Sequence, residues 1–214
     1  MFPALYAILD ATPGQSANSL QSLARTLAVA GVKLLQIRAK CLTARQFQEI
    51  SRNLVTHGPD GTQIIINDRP DIASIVGASG VHVGQDDLPV EAARKICPYP
   101  QWVGVSTHSL EQLRAADVTS ADYIAVGPIF PTYTKENPDP VVGLEFLRAA
   151  RKITRKPLVA IGGITVQSAA ELFRAGADSV AVISDLMAAQ DPAQRAREYL
   201  AIAEKAISSR DNRQ

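Results

Sequence analysis

Eight short apolar runs alternate with eight longer amphipathic stretches along this chain, and that repeat constrains the fold more than any single motif. The strand candidates are Leu5 to Leu9, Leu34 to Ile37, Gln63 to Ile66, Val81 to Val83, Trp102 to Val105, Tyr123 to Val126, Leu158 to Ile161 and Ser179 to Ile183. Between and after them fall helical patterns at Ser19 to Ala30, Thr43 to Thr56, Pro70 to Val76, Pro89 to Ile96, Leu110 to Ala116, Gly143 to Ile153, Val166 to Ala175 and Pro192 to Ile207. Glycines in Ala30-Gly31, Ala78-Ser79-Gly80 and Ala175-Gly176 mark expected left-handed helix ends before new strands. Strand followed by helix, repeated, calls for a parallel sheet. Eight such units in 214 residues predict a compact TIM (β/α)8 barrel, an α/β fold in one domain over 1–207, with a polar tail at 208–214 that is expected to fray. An open doubly wound sheet fits less well: the first strand is followed by Asp10-Ala11-Thr12-Pro13-Gly14, not by a Gly-x-Gly-x-x-Gly turn.

Composition narrows the partners. With 46% hydrophobic residues the chain can bury one sizeable core, and a net charge of +1 gives no electrostatic case for nucleic acid or a membrane surface. Cys41 and Cys97 lack metal-ligand spacing, which points to reduced thiols. No apolar run approaches the ~18 residues of a membrane span, and Met1-Phe2-Pro3-Ala4 does not read as a signal peptide. A soluble cytoplasmic protein is expected, with room for a homo-oligomer that the sequence does not decide.

A barrel keeps its chemistry at the C-terminal ends of its strands. The sixth strand runs into Gly127-Pro128-Ile129-Phe130-Pro131-Thr132-Tyr133-Thr134-Lys135-Glu136-Asn137-Pro138, a proline-stiffened loop whose Thr132, Thr134 and Lys135 suit a phosphate; the alternative is a plain solvated loop. After the second strand, alternation sends Gln36, Arg38 and Lys40 one way and Leu35 and Ile37 toward the helices. Arg38 then needs either an anionic ligand or an internal carboxylate. The next two strands end in Asn67-Asp68 and in Gln85-Asp86-Asp87. Asp68 and Asp87 beside that basic group suit a hard cation, Mg²⁺, shared with a phosphate; alternatively each caps the helix that starts at Pro70 or Pro89.

The fifth strand offers Ser106 as a donor to a phosphate or heterocycle, while Ser109 is the better helix cap. His108 reads as structural or as a proton carrier, His82 as a core histidine inside the barrel, and His57 as a helix end. Gly162-Gly163 after strand seven and Ser184 at a helix start after strand eight form the pair where such barrels often seat a phosphate.

These residues resemble the thiamine-phosphate synthase family over nearly the whole chain. The resemblance rests on Gln36-x-Arg38-x-Lys40, Ile66-Asn67-Asp68-Arg69, Gly80 through Asp87, Gly104-Val105-Ser106, Gly127 through Lys135, Gly162-Gly163-Ile164 and Ile183-Ser184, in this order. It implies a transferase of thiamine biosynthesis that joins 4-amino-5-hydroxymethyl-2-methylpyrimidine diphosphate to 4-methyl-5-(2-phosphoethyl)thiazole, releasing diphosphate through a pyrimidine methylene cation. By the same resemblance Gln36, Arg38, Lys40, Asn67 and Lys135 contact the pyrimidine diphosphate, and Asp68 and Asp87 hold one Mg²⁺ per subunit. Ser106 lies near the reacting centre; Thr132, Thr134, Gly163, Ile183 and Ser184 receive the thiazole phosphate. Arg38, Lys40, Ser106 and Lys135 are the expected catalytic groups. The rival readings are a thiazole tautomerase-like homologue, for which His108 would shuttle protons, and a non-catalytic thiazole-phosphate-binding barrel. Turnover that needs Mg²⁺ separates the enzyme from the binder.

Overall fold

The computed structural model describes residues 2–132 and 139–211, with side chains through Ser209. Eight parallel strands, β1 (Leu5–Asp10), β2 (Leu34–Arg38), β3 (Gln63–Asn67), β4 (Gly80–Val83), β5 (Trp102–Thr107), β6 (Tyr123–Val126), β7 (Leu158–Ile161) and β8 (Ser179–Val182), pair in chain order. The last pairs with the first, Leu5 opposite Val180, so the barrel is closed. Around it lie α1 (Ala17–Val29), α2 (Ala44–His57), α3 (Pro70–Val76), α4 (Val90–Ile96), α5 (Leu110–Asp117), α6 (Gly143–Ile153), α7 (Val166–Arg174) and α9 (Pro192–Asp211). A four-residue helix, α8 (Ser184–Met187), sits between β8 and α9. The predicted TIM barrel is therefore observed.

Each strand is buried on both faces, which is why it reads as an unbroken apolar run. Leu5, Ala7 and Leu9 pack under the helices, whereas Tyr6 and Ile8 point into the barrel. In β3, Ile64 and Ile66 join the outer core and Ile65 the inner one. Truncating Ile65 to alanine would cost about 2–5 kcal/mol, the range for an emptied core site. Helix α2 shows how the outer layer is specified: Thr43 accepts from the Gln46 backbone N–H, closing a capping box, and Phe47, Ile50, Ser51 and Leu54 bury one face.

Most element ends shift by one or two residues from the sequence reading, and two differences have a clear physical reason. Helix α3 closes on Gly77, at φ 69°, while Gly80 opens β4. The last helix runs to Asp211, because Ser208 and Ser209 can continue a turn already propagated, Ser209 Oγ donating back to the Lys205 carbonyl at 2.7 Å.

The N-terminal end of the barrel is plugged and tied. Phe2 stacks on Trp102 with centroids 5.4 Å apart and leans on Tyr123 at 5.2 Å. Arg94, at the end of α4, donates to the Ser120 carbonyl at 3.0 Å and pairs with Asp122, whose carboxylate also accepts from the Val103 N–H at 2.6 Å. The opposite end is open.

Candidate active site

A cavity of about 430 Å³ occupies the C-terminal mouth of the barrel. Its floor is apolar, with Ile8, Ala125, Val159 and Ala181 each no more than 3% exposed, and its rim is polar. Residues predicted from seven strand ends meet there, as the following paragraphs place them.

On β2 the alternation holds: Leu35 and Ile37 sit in the helix layer, and Gln36, Arg38 and Lys40 line the cavity. Gln36 is buried and donates through Nε2 to the Tyr6 hydroxyl at 2.7 Å. Arg38 meets an internal carboxylate, Asp10 Oδ1, at 2.6 Å. Asp10 was not foreseen as its partner. The signal was present, since Asp10 shares the inward parity of Tyr6 and Ile8 and stands opposite Arg38 in the β1–β2 register. Lys40 pairs with Asp68.

Neither acidic candidate caps a helix. The residues at the starts of α3 and α4, Arg69 and Pro89, receive no side-chain cap. Asp68 instead takes a left-handed backbone, φ 61°, with its N–H bonded to the His82 carbonyl at 2.7 Å. That conformation is tolerable for aspartate and turns the side chain into the mouth. Asp87 Oδ2 accepts from the Gly84 N–H at 2.7 Å. Burial, most of all, pushes the Asp87 carboxyl up; the Gly84 N–H opposes this, and the Asp68 carboxyl beside it adds to the rise. Two carboxylates so close disfavour each other's charge, a condition that a divalent cation relieves. No group of three or more His, Cys, Asp or Glu side chains with metal-ligand geometry occurs among the described residues. The pair thus fits a hard ion that takes its remaining ligands from water and substrate oxygens.

Ser106 on β5 also reaches the cavity, and Ser109 is the cap of α5, accepting from the Gln112 N–H at 3.1 Å. Ser106 Oγ lies 2.9 Å from His82 Nε2, so the core histidine of the sequence reading touches a predicted catalytic residue. His108 Nδ1 lies 2.6 Å from the Gly127 carbonyl, and its Nε2 faces Asp139 at 3.5 Å. Its ring is held by one backbone group and one carboxylate across the mouth.

The wall formed by β7 and β8 carries Gly163, Ile183 and Ser184, with Thr132 nearby. Gly163 has φ 62°, and a Cβ there would strike the Pro131 carbonyl and the Phe130 side chain. Only glycine lets the β6 loop and the β7 turn lie so close. Ile183 ends the β8 crossing and Ser184 begins α8, as the sequence suggested. Asp185 anchors that short helix to α9, accepting from Tyr199 at 2.7 Å and from Arg195 at 3.0 Å. Asn67 lies at the end of β3, buried and facing the cavity. Thr134 and Lys135 lie outside the described residues.

Comparison with known proteins shows the family and supports the fold. The sequence profile of a family described as thiamine monophosphate synthase matches residues 5–186. The chain is 51% identical to a thiamine-phosphate synthase of Koribacter versatilis over 203 residues, covering 94% of this chain and 95% of that one. It is 40% identical to a thiamine-phosphate synthase of Archaeoglobus fulgidus, covering 92% and 91%. Among solved structures, a thiamine phosphate pyrophosphorylase from Pyrococcus furiosus superposes with a TM-score of 0.83 at 32% identity, covering 95% of this chain and 96% of that one.

Proposed function

The chain belongs to the thiamine monophosphate synthase family and is an enzyme of thiamine-phosphate synthesis, and from that premise we propose how its mouth joins the pyrimidine diphosphate to the thiazole phosphate. The observation that carries the proposal is the division of the rim. Gln36, Arg38, Lys40, Asn67, Asp68 and Asp87 share one side, and Thr132, Gly163, Ile183 and Ser184 belong to strand ends across the barrel.

The pyrimidine diphosphate takes the first side. Gln36 and Asn67 orient it, while Arg38, Lys40 and Lys135 neutralise the departing diphosphate. Asp68 and Asp87 would hold one Mg²⁺ per subunit, which when bound offsets charge on the leaving group. The thiazole phosphate takes the second side, received by Thr132, Thr134, Gly163, Ile183 and Ser184. The apolar floor seats both rings away from water, and Ser106 stands beside the reacting methylene. Once the carbon–oxygen bond to diphosphate breaks, the methylene cation is captured by the thiazole nitrogen. Such a substitution needs a neutralised leaving group and fixed geometry more than an acid–base pair. This is why the absence of an obvious nucleophile in the sequence does not argue against an enzyme.

No helix among the described residues is long and apolar enough to cross a membrane. The two free cysteines suit a reducing compartment, and we place the enzyme in the cytoplasm. The test is chromatography of thiamine monophosphate made from the two substrates with Mg²⁺ and then with chelator. Metal-dependent product is expected. Binding of thiazole phosphate without product would return the chain to the tautomerase-like or binding-only reading.

A further inference from the structure

At the base of the cavity, with Tyr123 beneath the other four, five side chains from five strands form one hydrogen-bonded file. Gln36 of β2 donates to the Tyr6 hydroxyl of β1 at 2.7 Å; that hydroxyl lies 2.9 Å from Tyr123 of β6. Tyr123 lies 3.1 Å from His82 Nδ1 of β4, and His82 Nε2 lies 2.9 Å from Ser106 Oγ of β5. Tyr6 and Tyr123 are no more than 1% exposed, and His82 is 6% exposed. The ends of the file, Gln36 and Ser106, are the two members assigned to the substrate above.

A file of this kind has a direction, because each hydroxyl has one hydrogen to give. With the Gln36 amide donating to Tyr6, the arrangement in which every hydroxyl takes one hydrogen bond and gives one along the file sends the Tyr6 hydrogen to Tyr123. The Tyr123 hydrogen then turns to His82 Nδ1. A neutral imidazole that accepts at Nδ1 carries its hydrogen on Nε2 and gives it to Ser106. Ser106 Oγ is thereby occupied as an acceptor, and its own hydrogen is directed elsewhere, toward the cavity. Burial pushes both phenols well above their ordinary values, which keeps them neutral donors throughout the working pH range. Packing holds the file in place: Tyr123 meets Tyr6 edge-on at 5.9 Å and stacks on His82 at 5.5 Å. Gly104 leaves the space that the Tyr123 ring fills.

We propose that Tyr6, Tyr123 and His82 are positioning residues that fix Ser106 as a hydrogen-bond donor to the substrate, with the direction set by the Gln36 amide. The proposal rests on the functional reading above, since it is that reading which puts substrate against Ser106. It gives the core histidine a task that burial alone does not require.

The test uses the whole enzyme. Nitrogen NMR of the imidazole rings reports which nitrogen carries the proton, and with only three histidines in the chain, His82→Gln assigns the signal. The unaltered enzyme is expected to show His82 protonated at Nε2 and bare at Nδ1. Tyr123→Phe keeps the ring and removes the hydroxyl; it is expected to mix the two tautomers. It should lower kcat by about 10-fold to 100-fold, as for groups that orient a contacting ligand, with KM for the thiazole phosphate within about 2-fold. His82→Gln, which retains a donor, should keep more activity than His82→Leu. A proton on Nδ1, or a folded Tyr123→Phe enzyme with full kcat and an unchanged His82 spectrum, overturns the proposal. Turnover by the unaltered enzyme judges the functional reading, and the spectra judge the file whether or not turnover is seen.

Discussion

Arg38 faces the mouth with a carboxylate already beside it, because Asp10 stands opposite across the β1–β2 ladder at 2.6 Å. With its side chain 14% exposed, the guanidinium would be costly to bury without a counter-charge, and Asp10 both compensates and aims it. Two substitutions separate those roles. Arg38→Ala should lower kcat on the order of 100-fold, the loss typical of a removed charge-stabilising donor, while thiazole phosphate affinity changes little. Asp10→Asn leaves the cation but loosens its aim, and about a 10-fold loss in kcat is expected. Steady-state kinetics with each substrate varied in turn checks both; equal damage to thiazole binding would count against the assignment of Arg38. Strand parity let the sequence place Arg38 in the mouth. Its partner escaped because which strand position faces which is a matter of register, and register is set by the closed barrel rather than by neighbours in sequence.

At the scale of elements, the strands were legible because a strand buried on both faces leaves an apolar run that nothing else in this chain imitates. Turns were less so. Asp68 and Asp87 each precede a proline that starts a helix, a context in which capping and ligand binding look alike; the backbone of Asp68, at φ 61°, and the Gly84 N–H on Asp87 decided against capping. The file from Gln36 to Ser106 was illegible for the same reason as Asp10: its five members come from five strands. Elements also divide the labour of the two barrel ends. Arg94 ties α4 to the starts of β5 and β6, far from the mouth, so Arg94→Met should cost about 1–3 kcal/mol by leaving the half-buried Asp122 without its cation and the Ser120 carbonyl without its donor. Urea unfolding measures that loss, and kcat per folded molecule should stay unchanged. Gly104→Ala should instead damage both, because the added methyl collides with the Tyr123 ring and overpacking costs about 1–3 kcal/mol while displacing the file.

For the whole molecule, a site assembled from nearly every strand end couples ligand binding to the closure of the barrel. A ligand that spans several strand ends binds the folded chain and not the unfolded one, so it raises stability by mass action. At about 100 times its Kd, a substrate contributes ~2.7 kcal/mol, and for a chain of this size that moves Tm by about 5–10 °C. The two sides of the rim should respond differently to metal removal. In the proposed reading the pyrimidine diphosphate leans on a cation held by Asp68 and Asp87; without it the Asp68 carboxyl again disfavours charge on Asp87, so chelator should remove most of its Tm shift. The same reading puts the thiazole phosphate against Gly163 and Ser184, away from that pair, so its shift should survive chelator. Thermal unfolding with each substrate alone, with Mg²⁺ and with chelator, distinguishes these cases. If chelator abolished both shifts, the cation would be serving the barrel as a whole; if it abolished neither, Asp68 and Asp87 would be left as a partner of Lys40 and a loop clasp, and the metal assignment would fall.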